Sequence, residues 1–471
     1  MNDRDNKTIV LSRDNHNKKE IPAVQRALIL QGGGSLGAYE TGVFSTLFDK
    51  ISQIDNKPAK ENRLLFDIIV GTSIGAINGA IILTNYLKNK EWSDSLEKLE
   101  EYWNTIKTKT LVEQTPGFTK YWNNLNNFSK GIIAPGETAR RYYSARQFVA
   151  NGAPNVFSTR FELDKKFLDY AVRSRYRISN DILGKFLEQE KFVEFPILTS
   201  FEKDEPRFLC TTIDVQSGKT VTFDSYNTEV HYWDDSQEII IEYPKGIQIE
   251  HLMTSVALPQ NYEHQELDDK NNPEKRVFWD GSFLSNTPLR ELVQHHRDYW
   301  QKTKGSDKIP DLEVFIVGLW PRRLKDNPIP KDNDFIEDRR WDIIFHDKTL
   351  YDEKVLNLIT DYLDYIDKIK QLIHKKKDIK LLDEIAGLDK ENTTSLKRSG
   401  QKRKYEDILK GRFRVYVHRI EREDDTKSIS GKYYDFSKKT IEDLMTIGKK
   451  DGEIKVDWDQ VEKISEIPLF P

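Results

Sequence analysis

The chain has 471 residues, of which 37% are hydrophobic, 11% aromatic and 32% charged, with 73 Lys+Arg against 77 Asp+Glu for a net charge of -4. No apolar run approaches the roughly 20 residues that span a bilayer. The first twenty residues are polar and of mixed charge, unlike a secretory signal, and one cysteine, Cys210, makes neither an internal disulfide nor a zinc site by itself. Near-balanced charge speaks against a dedicated nucleic-acid binder, the aromatic content against wholesale disorder, and a folded cytoplasmic protein is the expectation.

Residues 1–24 read as a polar tail. Ala27-Leu28-Ile29-Leu30 is a short apolar run that meets Gly32-Gly33-Gly34-Ser35-Leu36-Gly37 directly, and Val43, Phe44, Leu47 and Phe48 then recur at helical spacing. The same grammar follows again. Phe66–Val70 reads as a buried strand, Gly71-Thr72-Ser73-Ile74-Gly75 as a turn, and Ala76–Leu83 as a helix apolar on all sides, hence buried. Strands alternating with helices predict βαβ units around a mostly parallel sheet, an α/β fold. Residues 92–190 read as a helical insertion or lid. Strand signals return at Phe195–Ser200, Phe208–Ile213, Thr220–Phe223, Arg276–Gly281 and Leu312–Leu319, with a helix over His251–Leu258. The catalytic part is expected over 25–335 and an α-rich C-terminal extension over 336–471, with a strand near Phe413–Val417 and an amphipathic helix near Thr440–Ile447.

Gly71-Thr72-Ser73-Ile74-Gly75 matches G-x-S-x-G, a sharp strand-to-helix turn that lifts a serine above the sheet with the helix dipole facing developing negative charge. Gly32-Gly33-Gly34 offers backbone N–H groups at another strand end, suited to an oxyanion. Through Gly32, Gly34 and Gly37 it also satisfies G-x-G-x-x-G, a dinucleotide pattern that wants an acidic residue closing the next strand. Asp49 and Asp55 are available, but neither ends a convincing strand. A serine needs a base. His251, His264, His295, His296 and His346 are candidates without a recognisable context, whereas Asp280 ends an apolar strand, is followed by Gly281, and would project at the edge where α/β sheets collect ligands, against the alternative of an ordinary Asp-Gly turn.

Together these pieces resemble the patatin-like phospholipase family over about residues 26–320. They are Gly32–Gly37, the G-T-S-I-G of 71–75, Asp280-Gly281, and Ser255-Val256-Ala257-Leu258-Pro259, which looks like the S-x-A-x-P segment that precedes the aspartate in patatins. Tyr434-Asp435-Phe436-Ser437 is similar to the C-terminal domain of unknown function in bacterial patatin-like proteins. The resemblance implies a three-layer α/β/α domain and a Ser–Asp dyad. Ser73 would be the nucleophile, Asp280 the general base, and Gly32, Gly33, Gly34 and Ser35 the oxyanion hole. The substrate would be a lipid or phospholipid ester, with no metal or other cofactor. Leu36 stands where many relatives carry Arg or Lys, and Ser282 where Gly or Ala is usual.

A lipid hydrolase must also meet a surface. Trp92, Trp103, Trp122 and Phe128 are candidates for an acyl pocket or a peripheral membrane contact, against packing inside the insertion. Lys375–Lys377 and Lys402–Lys404 are candidates for anionic lipid, against a solvated helix face.

Overall fold

The computed structural model describes residues 20–55, 63–109, 120, 124, 136–157, 178–259, 261–306, 308–324, 329–376, 380–381, 411–423 and 428–468. Trp122, Phe128, Lys377 and Lys402–Lys404 lie outside them.

The chain opens with β1 (Val24–Leu30) and α1 (Ala38–Asp55), then β2 (Ile68–Thr72) and α2 (Ile74–Asn89). Among the described residues there follow α3 (Trp92–Ile106), α4 (Gly136–Asn151) and α5 (Asn180–Gln189). Next come β3 (Arg207–Asp214), β4 (Lys219–Asp224), β5 (Glu229–Asp234), β6 (Gln237–Glu242), α6 (Ile249–Thr254), β7 (Gln265–Asp269) and β8 (Asn272–Asp280). Then α7 (Ser282–Ser285), α8 (Leu289–Asp298), β9 (Asp311–Gly318), α9 (Asn333–Phe345) and α10 (Leu350–Lys375) lead to β10 (Val415–Glu421), α11 (Lys438–Lys455) and α12 (Trp458–Ser465).

The main sheet runs β10-β9-β1-β2-β3-β8-β7, with β4 also on β3. Strands β10, β9, β1, β2 and β3 are mutually parallel. Side-chain alternation along β1 sends its residues to two separate cores, as the pleat requires. Leu28 and Leu30 join α1, α2 and α3 on one face, and Ala27 and Ile29 join Leu289, Leu292 and Trp300 on the other. The result is the expected three-layer α/β/α architecture. Every residue of α2 from Ile74 to Tyr86 is buried, as its all-round apolar sequence predicts.

One feature of the register places the site. Along one edge of β3, Thr211 pairs with Thr72 at the end of β2, and the next residue, Thr212, pairs with Asp280 at the end of β8. Strand β4 occupies the opposite edge of β3. Strands β2 and β8 therefore meet head-on, and the residue after Thr72 is brought against Asp280.

The C-terminal segment does more than append helices. Strand β10 finishes the parallel sheet beside β9, and α11 packs along α1, with Tyr39 Oη donating to Asp451 Oδ2 at 2.8 Å. Phe195–Ser200 is not a strand; only Ile197 bridges to Ile247 there. The β5–β6 hairpin and β7 escaped the sequence reading, although Val230 and Tyr232 alternate with polar neighbours ahead of the Asp235-Ser236 turn. Trp92 and Trp103 serve the main core. Trp103 is fully buried and donates to Asn78 Oδ1, and Trp92 packs on Phe66 and Tyr86.

Candidate active site

Ser73 joins β2 to α2 with φ 55° and ψ -126°, a backbone region that side-chain-bearing residues seldom enter. Its surroundings enforce the strain. A Cβ on Gly75 would come within 2.2 Å of the Leu30 carbonyl oxygen, so only glycine lets the elbow lie against the end of β1. The Ser73 N–H donates to Ser255 Oγ at 2.8 Å, and Ser255 Oγ donates to the Thr211 carbonyl at 2.6 Å. Thr72 Oγ1 ties the preceding residue to the Ser285 carbonyl. The serine of the S-x-A-x-P segment thus anchors the turn to β3.

Ser73 Oγ donates to Asp280 Oδ2 at 2.6 Å, and the Ser282 N–H donates to Asp280 Oδ1 at 2.8 Å. Asp280 is 2% exposed. Burial raises its pKa to about 6 from an ordinary 3.8, against the pull of the hydrogen bonds from Ser73 and Ser282. Among the described residues no histidine contacts either group. His296 is buried on the Pro310 carbonyl and His251 caps α6, burial lowering their pKa values to about 3 and about 4. His295 faces Asp224, His264 faces Glu266, and His346 bonds the Ile343 carbonyl. Among the described residues the triad alternative therefore has no histidine partner.

The glycine loop lies against this pair. A Cβ on Gly32 would stand 2.3 Å from Ser282 Oγ and 2.9 Å from Ser73 Cβ. The Gly32 peptide is clamped by Asn286, whose Oδ1 accepts from the Gly32 N–H at 2.9 Å while its Nδ2 donates to the Gly32 carbonyl at 3.2 Å. Trp320 Nε1 donates to the same carbonyl at 2.7 Å. This corrects one expectation: the Gly32 N–H is already taken and is not a free oxyanion donor. The N–H groups of Gly33, Gly34 and Ser35 have no acceptor among the described residues. Gly34 sits at φ 55°, and a Cβ there would come within 2.2 Å of the Tyr433 carbonyl oxygen. Ser35 Oγ donates to the Lys432 carbonyl at 3.0 Å. Leu36 is buried in the core and presents nothing to a headgroup.

A C-terminal turn therefore supports the loop, and it is itself pinned. Lys432 is buried with its Nζ between Asp338 at 3.1 Å and Asp342 at 2.5 Å. Tyr433, Tyr434 and Phe436 help line a pocket that contains Ser73, Asp280, Gly33 and Gly34. Away from the dyad its walls are apolar, from Ile77, Phe148, Leu183 and Val256 among others. Tyr434 Oη donates to Asn261 Oδ1 at 2.6 Å on its wall. Asn286, Trp320 and the Lys432–Phe436 turn were not singled out as site residues from the sequence. They reach the site only through tertiary contacts 254 residues or more from Gly32 in the chain for Asn286 and Trp320, and 397 from Ser35 for Lys432.

The dinucleotide alternative finds no acidic partner. Asp55 pairs with buried Arg26 at 2.8 Å, near the start of β1 and away from the loop, and Asp49 lies on α1. Among the described residues there is no His/Cys/Asp/Glu cluster able to hold a metal ion, and no helix is long and apolar enough to cross a membrane.

A parallel α/β sheet carrying a strained serine elbow against a buried aspartate defines a serine-centred α/β domain, and residues 28–293, more than half of the chain, match the sequence profile of the patatin-like phospholipases. The chain belongs to the patatin-like phospholipase family. No curated protein sequence matches it. Among solved structures it is similar to VipD from Legionella pneumophila (10% identity, TM-score 0.29, covering 94% of this chain and 68% of that one). It is also similar to human GIVD cytosolic phospholipase A2 (9%, TM-score 0.30, 63% and 43%) and to ExoU of Pseudomonas aeruginosa, solved with SpcU (13%, TM-score 0.18, 52% and 40%). The chain thus spans less than half the length of the latter two.

Proposed function

We propose that this protein is a serine lipid acyl hydrolase that cleaves fatty-acyl esters of phospholipid or a related lipid through a Ser73–Asp280 dyad. The observation that carries the reading is the 2.6 Å hydrogen bond from Ser73 Oγ to a buried Asp280 with no histidine between them. An ordinary carboxylate is a weak base for a hydroxyl. Burial brings Asp280 close to the range suited to general base catalysis near neutrality, while leaving it ionised above about pH 6.

In the first step Ser73 Oγ attacks the acyl carbonyl as Asp280 takes the hydroxyl proton. The carbonyl π pair moves onto oxygen, where the N–H groups of Gly33, Gly34 and Ser35 and the N-terminal end of α2 stabilise the charge. Collapse breaks the ester C–O bond, and Asp280 returns the proton to the leaving alcohol. Water then attacks the acyl-serine with the same proton relay, and the fatty acid leaves. The apolar walls beyond Ile77 and Phe148 suit the acyl chain.

The test is fluorophosphonate labelling of wild type, Ser73→Ala and Asp280→Asn beside fatty-acid release from mixed phospholipid vesicles. Labelling and release that vanish in Ser73→Ala support the reading. A folded wild type that neither labels nor releases fatty acid refutes it and favours lipid binding without turnover.

A further inference from the structure

Helix α9 is built inside out. A surface helix normally buries its apolar stripe and exposes its charges. Here the buried stripe is Asp338, Asp342 and Phe345, with both aspartates turned in to Lys432. The opposite stripe, at spacings of four and three, is Ile336, Arg340 and Ile343, with the two isoleucines 51% and 52% exposed. Leu284 of α7 is 56% exposed and Phe283 37%. These two short elements are neighbours. The Phe283 ring meets Phe345 edge-on at 5.3 Å, and Asn286 Nδ2 donates to the Phe345 carbonyl at 2.7 Å. Phe345 and Ser282 both line the pocket that holds Ser73. Phe283 and Leu284 therefore lie beside the wall of an apolar pocket, Ile336 and Ile343 stand on the outward face of the helix that helps form that wall, and two acidic side chains that would ordinarily face water on this helix have been drawn inward.

We propose that these exposed side chains, Phe283 and Leu284 beside the pocket wall and Ile336 and Ile343 on the outward face of α9, act together as a collar by which this protein docks on a phospholipid bilayer. This rests on the acyl-hydrolase reading for its choice of occupant, because an ester held in an aggregate must pass from that aggregate into the pocket beside the collar. Charge agrees with it. Arg340 stands within the stripe, stacked 5.6 Å over Trp341, and exposed Lys348 follows the helix; both suit anionic headgroups around inserted aliphatic side chains. The Arg340–Glu337 pair at 3.1 Å is solvent-exposed and holds the guanidinium only weakly. Trp92 and Trp103, considered from sequence for a membrane contact, lie in the core instead.

The experiment measures sedimentation with vesicles of phosphatidylcholine containing a minor share of phosphatidylglycerol. It uses the full chain carrying Ser73→Ala, so that binding is read without turnover. Adding Leu284→Ser, Ile336→Ser and Ile343→Ser is expected to weaken binding by about tenfold or more, since each loses aliphatic burial in the interface. Arg340→Gln is expected to weaken binding to these vesicles and leave binding to pure phosphatidylcholine unchanged. The same triple change with Ser73 intact should hydrolyse a soluble short-chain ester within about twofold of wild type, as these side chains lie outside the catalytic pair. Equal vesicle binding by the triple variant and its parent would overturn the proposal, as would a parent that binds no vesicles. Self-association of the parent that the triple variant abolishes would overturn it in favour of a second copy as the occupant. A wild type that cleaves no ester yet binds vesicles through this collar would refute the hydrolase reading alone.

Discussion

Replacing Asp280 by Asn should stabilise the protein while disabling it. Burial raises the pKa of Asp280 from 3.8 to about 6. At roughly 1.4 kcal/mol per unit, holding it ionised in the folded state costs about 3 kcal/mol. The sign follows from the direction of the shift. A raised carboxyl pKa means that the folded protein binds the proton more tightly than the unfolded chain. The wild type therefore loses this increment of stability as pH rises from about 4 through about 6, and has lost all of it at pH 8. Asparagine carries no charge and fits the same bonds, its Oδ1 accepting from the Ser282 N–H and its Nδ2 donating to Ser73 Oγ. Urea unfolding of both proteins should show near-equal stability near pH 4 and an advantage of up to about 3 kcal/mol for Asp280→Asn at pH 8. In parallel, acyl release by wild type should rise with pH through a single ionisation near 6, and the variant should fall by on the order of 10² to 10⁴. A stability difference that does not change between pH 4 and pH 8 would refute the account of Asp280 as a buried, uncompensated base.

Three further changes probe the surroundings of the dyad. Gly34→Ala should drive a methyl into the Tyr433 carbonyl at a left-handed backbone position, displacing the loop and lowering acyl release by on the order of 10² or more, with retained folding checked by circular dichroism. Ser255→Ala removes both the acceptor for the Ser73 N–H and the donor to Thr211, and should lower kcat about tenfold with KM unchanged in soluble-ester kinetics. Lys432→Met removes the ammonium that Asp338 and Asp342 share, leaving Arg339 at 3.9 Å from Asp342, and should cost about 3 kcal/mol in chemical unfolding, whereas adding Asp338→Asn and Asp342→Asn should recover most of that loss.

Much of this was legible locally. The runs at Ala27–Leu30 and Phe66–Val70, each followed by glycines and a helical pattern, carry their own strand–turn–helix signal, and both became β1–α1 and β2–α2. The placement of Ser73 and Asp280 at the ends of strands was readable because each closes a strand-like run at a glycine-marked turn. The Asn286 clamp was not readable, because its two hydrogen bonds to Gly32 depend on where α7 ends in space and on nothing in the neighbouring residues. That clamp occupies the Gly32 N–H, unlike the N–H groups of Gly33, Gly34 and Ser35. Phe195–Ser200 misled because Ile197 and Leu198 look strand-like in isolation, while the segment finds only one bridge partner, Ile247. The outward isoleucines of α9 were invisible for a related reason: their exposure follows from Lys432, some ninety residues later, taking Asp342 to the inside.

The support of Gly34 and Ser35 by Tyr433 and Lys432 has a consequence for biosynthesis. Ser73, Asp280 and the glycine loop all leave the ribosome well before the turn that holds the loop in place and the strand β10 that completes the sheet. At roughly 5–20 residues per second, the stretch between Asp280 and Lys432 takes on the order of ten to thirty seconds to make. During that interval the nascent chain carries Ser73, Asp280 and the glycine loop without the contacts that hold the loop in place. On the proposed reading, the capacity to cleave lipid would in this way arise only after the Lys432 turn and β10 have been made.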